Sequence, residues 1–323
     1  DVARLRPHSP RPRQVLRERA AQIVNQFDPG AQSGIFSTIE QEKTTDDYFL
    51  GSDNTVRCFF EEEAFGADGQ LKQDKSLSIN KIGHAMHDLD PVFRAFSADP
   101  SLAQVARDLG LADAQVWQSM YIFKQPGIGG EVRWHQDATY FETTPISVTT
   151  FWFALEDATL DNGCLWAEPG GHRGPLRERF IRNGDQVRVE KLDATPWPDD
   201  STAVPLECKA GSLVCFHGLL PHYSAPNRSP VSRHAYTLHA TDGNVRRAAQ
   251  HVEHADAGVT GKTLVDHFQG RHASTDDAIL AGQVIAFDAA GFGNGIGLYQ
   301  TIVDAMQQRV DLILGQQVLP AMS

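Results

Sequence analysis

Two residues of metal-binding type lie close together in the stretch 132–141, which reads V-R-W-H-Q-D-A-T-Y-F. A single residue, Gln136, separates His135 from Asp137. In extended backbone, side chains at positions i and i+2 point to the same face, so this imidazole and this carboxylate can bind one ion together. The pair alone is weak evidence for a metal site, because a pattern this short also occurs by chance.

A third potential ligand, His222, follows a predicted strand over residues 212–217. The intervening loop places this histidine just beyond the strand's end, where a rigid β-scaffold presents functional side chains. Two histidines and one carboxylate form the facial triad of non-haem Fe(II) oxygenases, which leaves the opposite face of the metal open. His135, Asp137 and His222 are therefore the candidate metal ligands and the candidate catalytic centre.

Arg233, eleven residues after His222, indicates how a co-substrate could be held. A guanidinium matches a carboxylate in bidentate fashion, so it suits the far carboxylate of a dicarboxylic oxo-acid that chelates the metal. Ser224 lies between the two residues and can complete this clamp. Without that context, Arg233 would be read as an ordinary surface arginine.

The composition limits the classes of function. The 323 residues, 41% hydrophobic and 22% charged, are typical of a soluble globular protein with a substantial core. The net charge of −12 argues against nucleic acids and anionic membranes as partners, and no apolar run approaches the ~20 residues that span a bilayer. The four cysteines form no C-x-x-C motif, so we expect free thiols and a cytoplasmic protein.

Hydrophobic spacing predicts a helical first part of the chain and a strand-rich second part. Helical periods occur over residues 14–27 and again around Lys81, and a helix capped by Asp99 ends at Gly110. The acidic run 61–63 predicts a solvated face. Short β-rich segments bounded by turn residues predict strands at 116–124, 147–155, 163–167, 204–207, 212–217 and 234–240. This order favours a β-sandwich or jelly roll with flanking helices over a parallel α/β sheet.

Several longer motifs resemble one enzyme family. The segments W-H-Q-D-A-T-Y-F, D-N-G-C-L-W-A-E-P-G-G-H and H-Y-S-A-P-N-R-S-P-V-S-R together resemble the phytanoyl-CoA dioxygenase family. The segments S-I-N-K-I-G-H-A-M-H and Q-S-M-Y-I-F-K-Q-P are similar to its branch of phytanoyl-CoA dioxygenase domain-containing proteins. The likeness runs in the same order from about Asp46 to about Ala240.

The resemblance implies a mainly β enzyme with flanking helices and a double-stranded β-helix (jelly-roll, cupin-like) core that depends on Fe(II), 2-oxoglutarate and O2. By motif match, the iron ligands are His135, Asp137 and His222, and ascorbate would serve as the reductant in vitro. Arg233 would pair with the 5-carboxylate of 2-oxoglutarate. The implied co-substrate residues as a set are Arg233, Ser224, Lys81, Met120 and Trp152.

We expect three parts in the chain. Residues 1–13, rich in Pro and Arg, form a mobile arm, and residues 14–248 form the oxygenase domain. Residues 249–323 form an extension outside the family likeness, with an apolar strand near 278–286 and a Gly-rich turn whose spacing matches no nucleotide-binding motif. A helix over residues 299–313 would pack on the core or form a homodimer face.

The resulting prediction is an enzyme that hydroxylates an unactivated C–H bond of a small organic substrate and releases succinate and CO2. Asp137 favours hydroxylation over halogenation, because its carboxylate occupies the metal position that a halide would need. Two alternatives stay open. One is a sensor or scaffold of the same fold that binds metal and 2-oxoglutarate without turnover. The other is a cupin-type metalloenzyme that does not use 2-oxoglutarate, against which Arg233 argues. The fold does not fix the substrate, which is either a CoA ester or a free small molecule.

Overall fold

The structure is a computed structural model that describes residues 12–30, 34–36, 47–183, 186–199, 201–247 and 285–287. The helices are α1 (Pro12–Gln26), α2 (Asp47–Leu50), α3 (Met86–Leu89), α4 (Pro91–Ser97) and α5 (Pro100–Asp108), with short 3-10 helices at Glu62–Ala64, Lys75–Leu77, Asp137–Thr139 and Gly171–Arg173. The strands are β1 (Gly34–Phe36), β2 (Val56–Glu61), β3 (Ile79–His84), β4 (Ala114–Ile122), β5 (Val132–His135), β6 (Thr143–Thr144), β7 (Thr149–Ala154), β8 (Leu165–Ala167), β9 (Glu178–Asn183), β10 (Gln186–Lys191), β11 (Val204–Leu206), β12 (Leu213–His217), β13 (His222–Ser224), β14 (Ala235–Asp242), β15 (Arg246–Arg247) and β16 (Ile285–Phe287).

Two sheets form the core of the molecule. The large sheet has the order β1-β2-β3-β4-β14-β7-β12-β16, and the small sheet has the order β11-β8-β13-β5. From β4 to β14 the chain passes repeatedly between them, with β4, β7, β12 and β14 in the large sheet and β5, β8, β11 and β13 in the small one. This winding is that of a double-stranded β-helix or jelly roll, which confirms the predicted fold class.

The sequence of β7, T-T-F-W-F-A, accounts for its central place in the large sheet. All six of its residues are buried, and alternate side chains point to opposite faces. Phe151 and Phe153 pack in the apolar cluster beneath the helices. Trp152 and Ala154 pack in a second apolar cluster, together with Leu165 of the small sheet. Strand β7 therefore contributes to both layers of the core.

The helices cover the outer face of the large sheet. Leu16, Ala20 and Val24 of α1 lie in the same buried cluster as Phe93 of α4 and Tyr236 of β14. The predicted first helix is thus confirmed, although it begins two residues earlier than expected, inside the segment assigned to the N-terminal arm. Proline suits this first helical position, since its missing N–H would have no partner there. Residues 1–11 lie outside the described part of the chain.

Two local predictions were wrong. The segment around Lys81 is strand β3 rather than helix, and the helices begin only at Met86. Every residue of β3 is buried. Such a strand has no alternating pattern that would distinguish it from a helix. The predicted solvated face at 61–63 fails at Glu61, which is fully buried. Its carboxylate accepts hydrogen bonds from Asn80 Nδ2 at 2.8 Å and from Gly130 N at 3.0 Å.

The C-terminal extension contributes one described element. Strand β16 pairs in antiparallel fashion with β12, with Phe287 opposite Leu213, at the end of the large sheet. The Gly-rich turn at 291–297 and the predicted helix at 299–313 lie outside the described residues. All four cysteines are free, as predicted. Among the described helices, none has the length and apolar character needed to cross a membrane.

Helices α4 and α5 begin with the same Asp-Pro pair but depend on it to different degrees. The Asp90 side chain accepts from Val92 N and Phe93 N at 3.0 and 3.2 Å and pairs with Arg19 Nε at 2.7 Å. The Asp99 side chain caps its helix by accepting a hydrogen bond from Ser101 N. We expect Asp99→Ala to lower the free energy of unfolding by about 1 kcal/mol, the usual contribution of a cap.

Asp90→Ala should lower the free energy of unfolding by about 2 kcal/mol or more, because this substitution also removes the ion-pair partner of Arg19. Urea unfolding of the two variants beside the wild type measures both values. An equal loss in the two variants would contradict the added role of the ion pair.

Candidate metal and co-substrate site

The two strands that carry the histidines are neighbours in the small sheet. His135 is the last residue of β5 and His222 is the first residue of β13, and the two are directly opposite each other in the antiparallel pairing. Their ring centroids lie 4.1 Å apart. Asp137 begins the 3-10 turn that follows β5. Strand pairing therefore brings together two residues that are 87 positions apart in the sequence.

The three side chains converge on a common point. His135 Nε2 lies 3.6 Å and His222 Nε2 lies 3.7 Å from Asp137 Oδ1. Potential ligand atoms of the three residues all lie within 4.8 Å of one another, a spacing at which they could hold one metal ion. Asp137 and His222 are buried, and His135 is partly buried.

The hydrogen bonds around the cluster leave the right atoms available for a metal. The Nδ1 atoms of His135 and His222 lie 2.8 and 3.0 Å from the carbonyl oxygens of Arg133 and Leu220. A carbonyl oxygen only accepts, so Nδ1 carries the proton and Nε2 keeps its lone pair. Thr150 Oγ1 donates to Asp137 Oδ2 and leaves Oδ1 facing the histidines.

The charge states also suit metal binding. Burial alone would raise the pKa of Asp137, but the neighbouring imidazoles of His222 and His239 outweigh it and lower this pKa below its usual value. Burial lowers the pKa of His135 to about 4, and His222 adds to the effect. At neutral pH the carboxylate is thus ionised and His135 is neutral, the states that a metal requires of its ligands.

A third histidine in the cluster, His239, was missed by the sequence reasoning. Its Nε2 lies 3.5 Å from Asp137 Oδ1, and its ring stacks on Phe141 with centroids 5.0 Å apart. It lies on β14, where Thr237, His239 and Thr241 occupy alternate positions and all line the same cavity. Thr237 and His239, polar residues at alternate positions of the strand predicted over 234–240, were the available signal.

Arg233 lines the same cavity as the three candidate metal ligands. Its guanidinium is buried, donating to Gly163 O from Nε at 3.1 Å and to Ser224 Oγ from Nη2 at 3.3 Å. The carbon of the guanidinium lies 5.3 Å from the centroid of the Trp152 ring. Among the described residues, Nη1 has no hydrogen-bond partner. Burial lowers the pKa of Arg233 to about 10, so it remains a cation at neutral pH.

Lys81 supplies a second buried basic side chain in the same cavity. Its Nζ lies 3.9 Å from Met120 Sδ and 3.3 Å from the centroid of the Phe36 ring, with the Phe49 ring also within reach. These aromatic faces attract the ammonium group, although burial lowers the pKa of Lys81.

All of the predicted site residues meet in one cavity of about 290 Å³. Its lining includes His135, Asp137, His222, Arg233, Ser224, Lys81, Met120 and Trp152. The buried Nη1 of Arg233 is costly to leave unpaired, and a carboxylate would satisfy it. The donor set therefore fits a divalent metal at one end of the cavity and a dicarboxylic oxo-acid reaching to the other.

The sequence matches one enzyme family over most of its length. A family model described as phytanoyl-CoA dioxygenase (PhyH) matches residues 13–235. The chain is 50% identical over 229 residues to "Phytanoyl-CoA dioxygenase" of Arabidopsis thaliana, covering 71% of this chain and 80% of the relative. It is 43% identical over 234 residues to "Phytanoyl-CoA dioxygenase domain-containing protein 1" of Bos taurus, covering 70% and 80%. Among solved structures, AviO1 from Streptomyces viridochromogenes Tue57 is 20% identical with a TM-score of 0.49, covering 74% of this chain and 88% of that one.

Removing the carboxylate should abolish metal retention. We expect Asp137→Ala to lose Fe(II) binding, because two imidazoles alone cannot complete a facial triad. Thr150→Val should keep the three ligands but weaken affinity roughly tenfold to a hundredfold, since it removes the donor that orients Asp137.

Equilibrium dialysis with Fe(II) under anaerobic conditions measures both effects. The exposed carboxylate Asp157, changed to Ala, is the matched control and should bind metal as the wild type does. Full iron retention by Asp137→Ala would show that the cluster is not the metal site.

Proposed function

The chain belongs to the phytanoyl-CoA dioxygenase family, and on that premise we propose that it hydroxylates an unactivated C–H bond of a small organic substrate. Membership makes the protein an Fe(II)- and 2-oxoglutarate-dependent dioxygenase. In the proposed reaction, one oxygen atom of O2 enters the substrate as a hydroxyl group. The other enters succinate, formed from 2-oxoglutarate with loss of CO2. The balance is therefore R–H, O2 and 2-oxoglutarate to R–OH, succinate and CO2.

One observation carries the proposal. The Nε2 atoms of His135 and His222 converge on Asp137 Oδ1 in the same cavity as the open Nη1 of Arg233. This arrangement can hold a metal and, farther along, the distal carboxylate of a co-substrate chelated to it. A cupin-type enzyme that does not use 2-oxoglutarate would have no need of the buried guanidinium.

We assign each side chain a role on this basis. His135, Asp137 and His222 hold the iron, which supplies the activation of O2 when it is bound. Arg233 binds the 5-carboxylate of 2-oxoglutarate, and Ser224 assists it. Lys81, Met120 and Trp152 line the space that the co-substrate fills. Asp137 would supply the third ligand to the iron, in the position that a halide would need, and this favours hydroxylation over halogenation.

The aromatic walls of the cavity suit an oxidation carried out away from bulk water. Tyr140 and Phe180 lie with ring centroids 5.6 Å apart, and Phe141 stacks on His239. All four residues line the cavity beside the proposed metal ligands. Excluding water protects a reactive oxidant from side reactions. The names of the relatives make phytanoyl-CoA the first substrate to test.

We further infer that one domain, residues 14–248, carries this activity. Every strand of the large and small sheets except β16 lies within this range. Residues 249–323 form an extension that adds β16 to the large sheet. A packing or homodimer role for the helix predicted at 299–313 stays a prediction.

Turnover of 2-oxoglutarate tests the proposal directly. Purified protein with Fe(II), ascorbate, O2 and 2-oxoglutarate should form succinate and CO2 slowly by itself and faster with a true substrate. Succinate is measured by mass spectrometry, and Asp137→Ala serves as the inactive control. Binding of 2-oxoglutarate without succinate formation across a screen of acyl-CoA esters and free acids would favour the sensor instead.

Arg233→Ala separates co-substrate binding from metal binding. Removing one partner of a buried ion pair is costly, so the KM for 2-oxoglutarate should rise on the order of a hundredfold. Iron retention should not change, because no iron ligand is altered. Arg228→Ala is the control, since Arg228 is an exposed arginine paired with Glu63. An unchanged KM in Arg233→Ala would show that the assignment of the clamp is wrong.

A further inference from the structure

A third buried basic side chain, that of Lys124, lies beside the Arg233 clamp. Its side chain is 1% exposed, and its Nζ donates to Gly130 O at 2.6 Å and to Ser224 Oγ at 2.7 Å. Its own carbonyl oxygen accepts from Asn227 Nδ2 at 2.9 Å and from Arg233 N at 3.3 Å. Among the described residues it is the one non-glycine with a positive φ, at 43°. Such backbone persists only where surrounding contacts hold it.

The hydrogen bonds at Ser224 constrain where its own proton can go. Lys124 Nζ and Arg233 Nη2 are both donors and cannot accept. Ser224 Oγ therefore accepts from both and uses its two lone pairs on them. The single hydroxyl proton is left for a third partner. Together with the open Nη1 of Arg233, the clamp offers two donors to one ligand group.

The charges around Lys124 also point to an anionic ligand. Glu61 is fully buried and accepts from Gly130 N at 3.0 Å, while the carbonyl oxygen of the same glycine accepts from Lys124. Burial and Arg233 lower the pKa of Lys124, and the Glu61 carboxylate opposes them. One buried acid thus faces two buried bases, Lys124 and Arg233, and a further negative charge would complete the group.

We propose that Lys124 is a positioning residue for 2-oxoglutarate, holding Ser224 so that its hydroxyl group donates to the distal carboxylate. Without the ammonium, a lone pair of Ser224 is free and its hydroxyl can turn to another acceptor. The inference rests on the proposed placement of that carboxylate against Arg233 and Ser224. It adds a residue of the cavity lining that acts through Ser224.

Binding of 2-oxoglutarate to Mn(II)-loaded protein, measured by calorimetry without turnover, tests this role. Lys124→Met should weaken binding roughly tenfold to a hundredfold, the effect of losing a charge-assisted hydrogen bond at the clamp. Ser224→Ala should weaken it to a similar extent. In the double variant, Lys124→Met should add less than about twofold to the loss from Ser224→Ala, because the lysine acts through the serine.

Two controls distinguish positioning from a general structural effect. The mono-acid 2-oxopentanoate lacks the distal carboxylate and should bind the wild type and Lys124→Met equally. Lys209→Met makes the same substitution at an exposed lysine paired with Asp157 and should leave 2-oxoglutarate affinity unchanged.

Should Lys124→Met fail to fold, Glu61→Gln/Lys124→Met removes both charges together and leaves neither unpaired. It should show the same loss of affinity.

Wild-type affinity in Lys124→Met, or a loss of equal size with and without Ser224, would overturn the inference. If Arg233→Ala weakens 2-oxoglutarate binding while Lys124→Met does not, this inference alone falls. If the binding pattern holds but no substrate is hydroxylated, the proposed reaction alone falls.

Discussion

The pairing of β5 with β13 is the contact on which the site depends. It places His222 opposite His135 and sets Asp137 at the turn that follows, so one stretch of sheet defines the whole ligand set. A shift of β13 by one residue in its pairing would turn His222 to the face of the sheet opposite to that of His135. The Nδ1 hydrogen bonds to Arg133 O and Leu220 O are made within each histidine's own segment. Correct pairing therefore brings correctly oriented imidazoles with it.

Several ionisable side chains are buried in and around the cavity. Arg233, Lys124 and Lys81 are bases, and Asp137 and Glu61 are acids, each with very little exposed surface. Buried charges are tolerated when they are paired and hydrogen-bonded. Glu61 accepts from the N–H of Gly130 and Lys124 donates to the carbonyl oxygen of the same residue, whereas Nη1 of Arg233 has no hydrogen-bond partner among the described residues. The fold thus has a polar interior whose described residues leave Nη1 of Arg233 without a hydrogen-bond partner.

Short sequence patterns predicted the features that depend on interactions between neighbouring residues. The His-x-Asp spacing, the cap at Asp99 and the strands after Leu111 depend on neighbours in the chain, and the structure has each of them. Family motifs placed Arg233 and Ser224 in the same cavity. The misreading of β3 has a physical cause, since a strand buried on both faces carries no alternation.

Other features depend on partners far away in the sequence. Glu61 belongs to an acidic run, and only its contacts with Asn80 and Gly130 explain why it is buried. The contact of Lys124 with Ser224 spans 100 positions. His239 reaches Asp137 because β14 lies beside β7, whose Thr150 also contacts that aspartate. Sheet order determines such contacts, and no short motif encodes it.

The pairing of β16 with β12 has a consequence for how the molecule behaves among other copies of itself. Strand β12 leads directly to the loop before His222, and β16 occupies its outer hydrogen-bonding edge. A chain cut before residue 285 would leave the N–H and C=O groups of β12 open as a template for strands of neighbouring molecules. Strand β16 thus covers an edge of the large sheet that would otherwise be open to pairing with another chain.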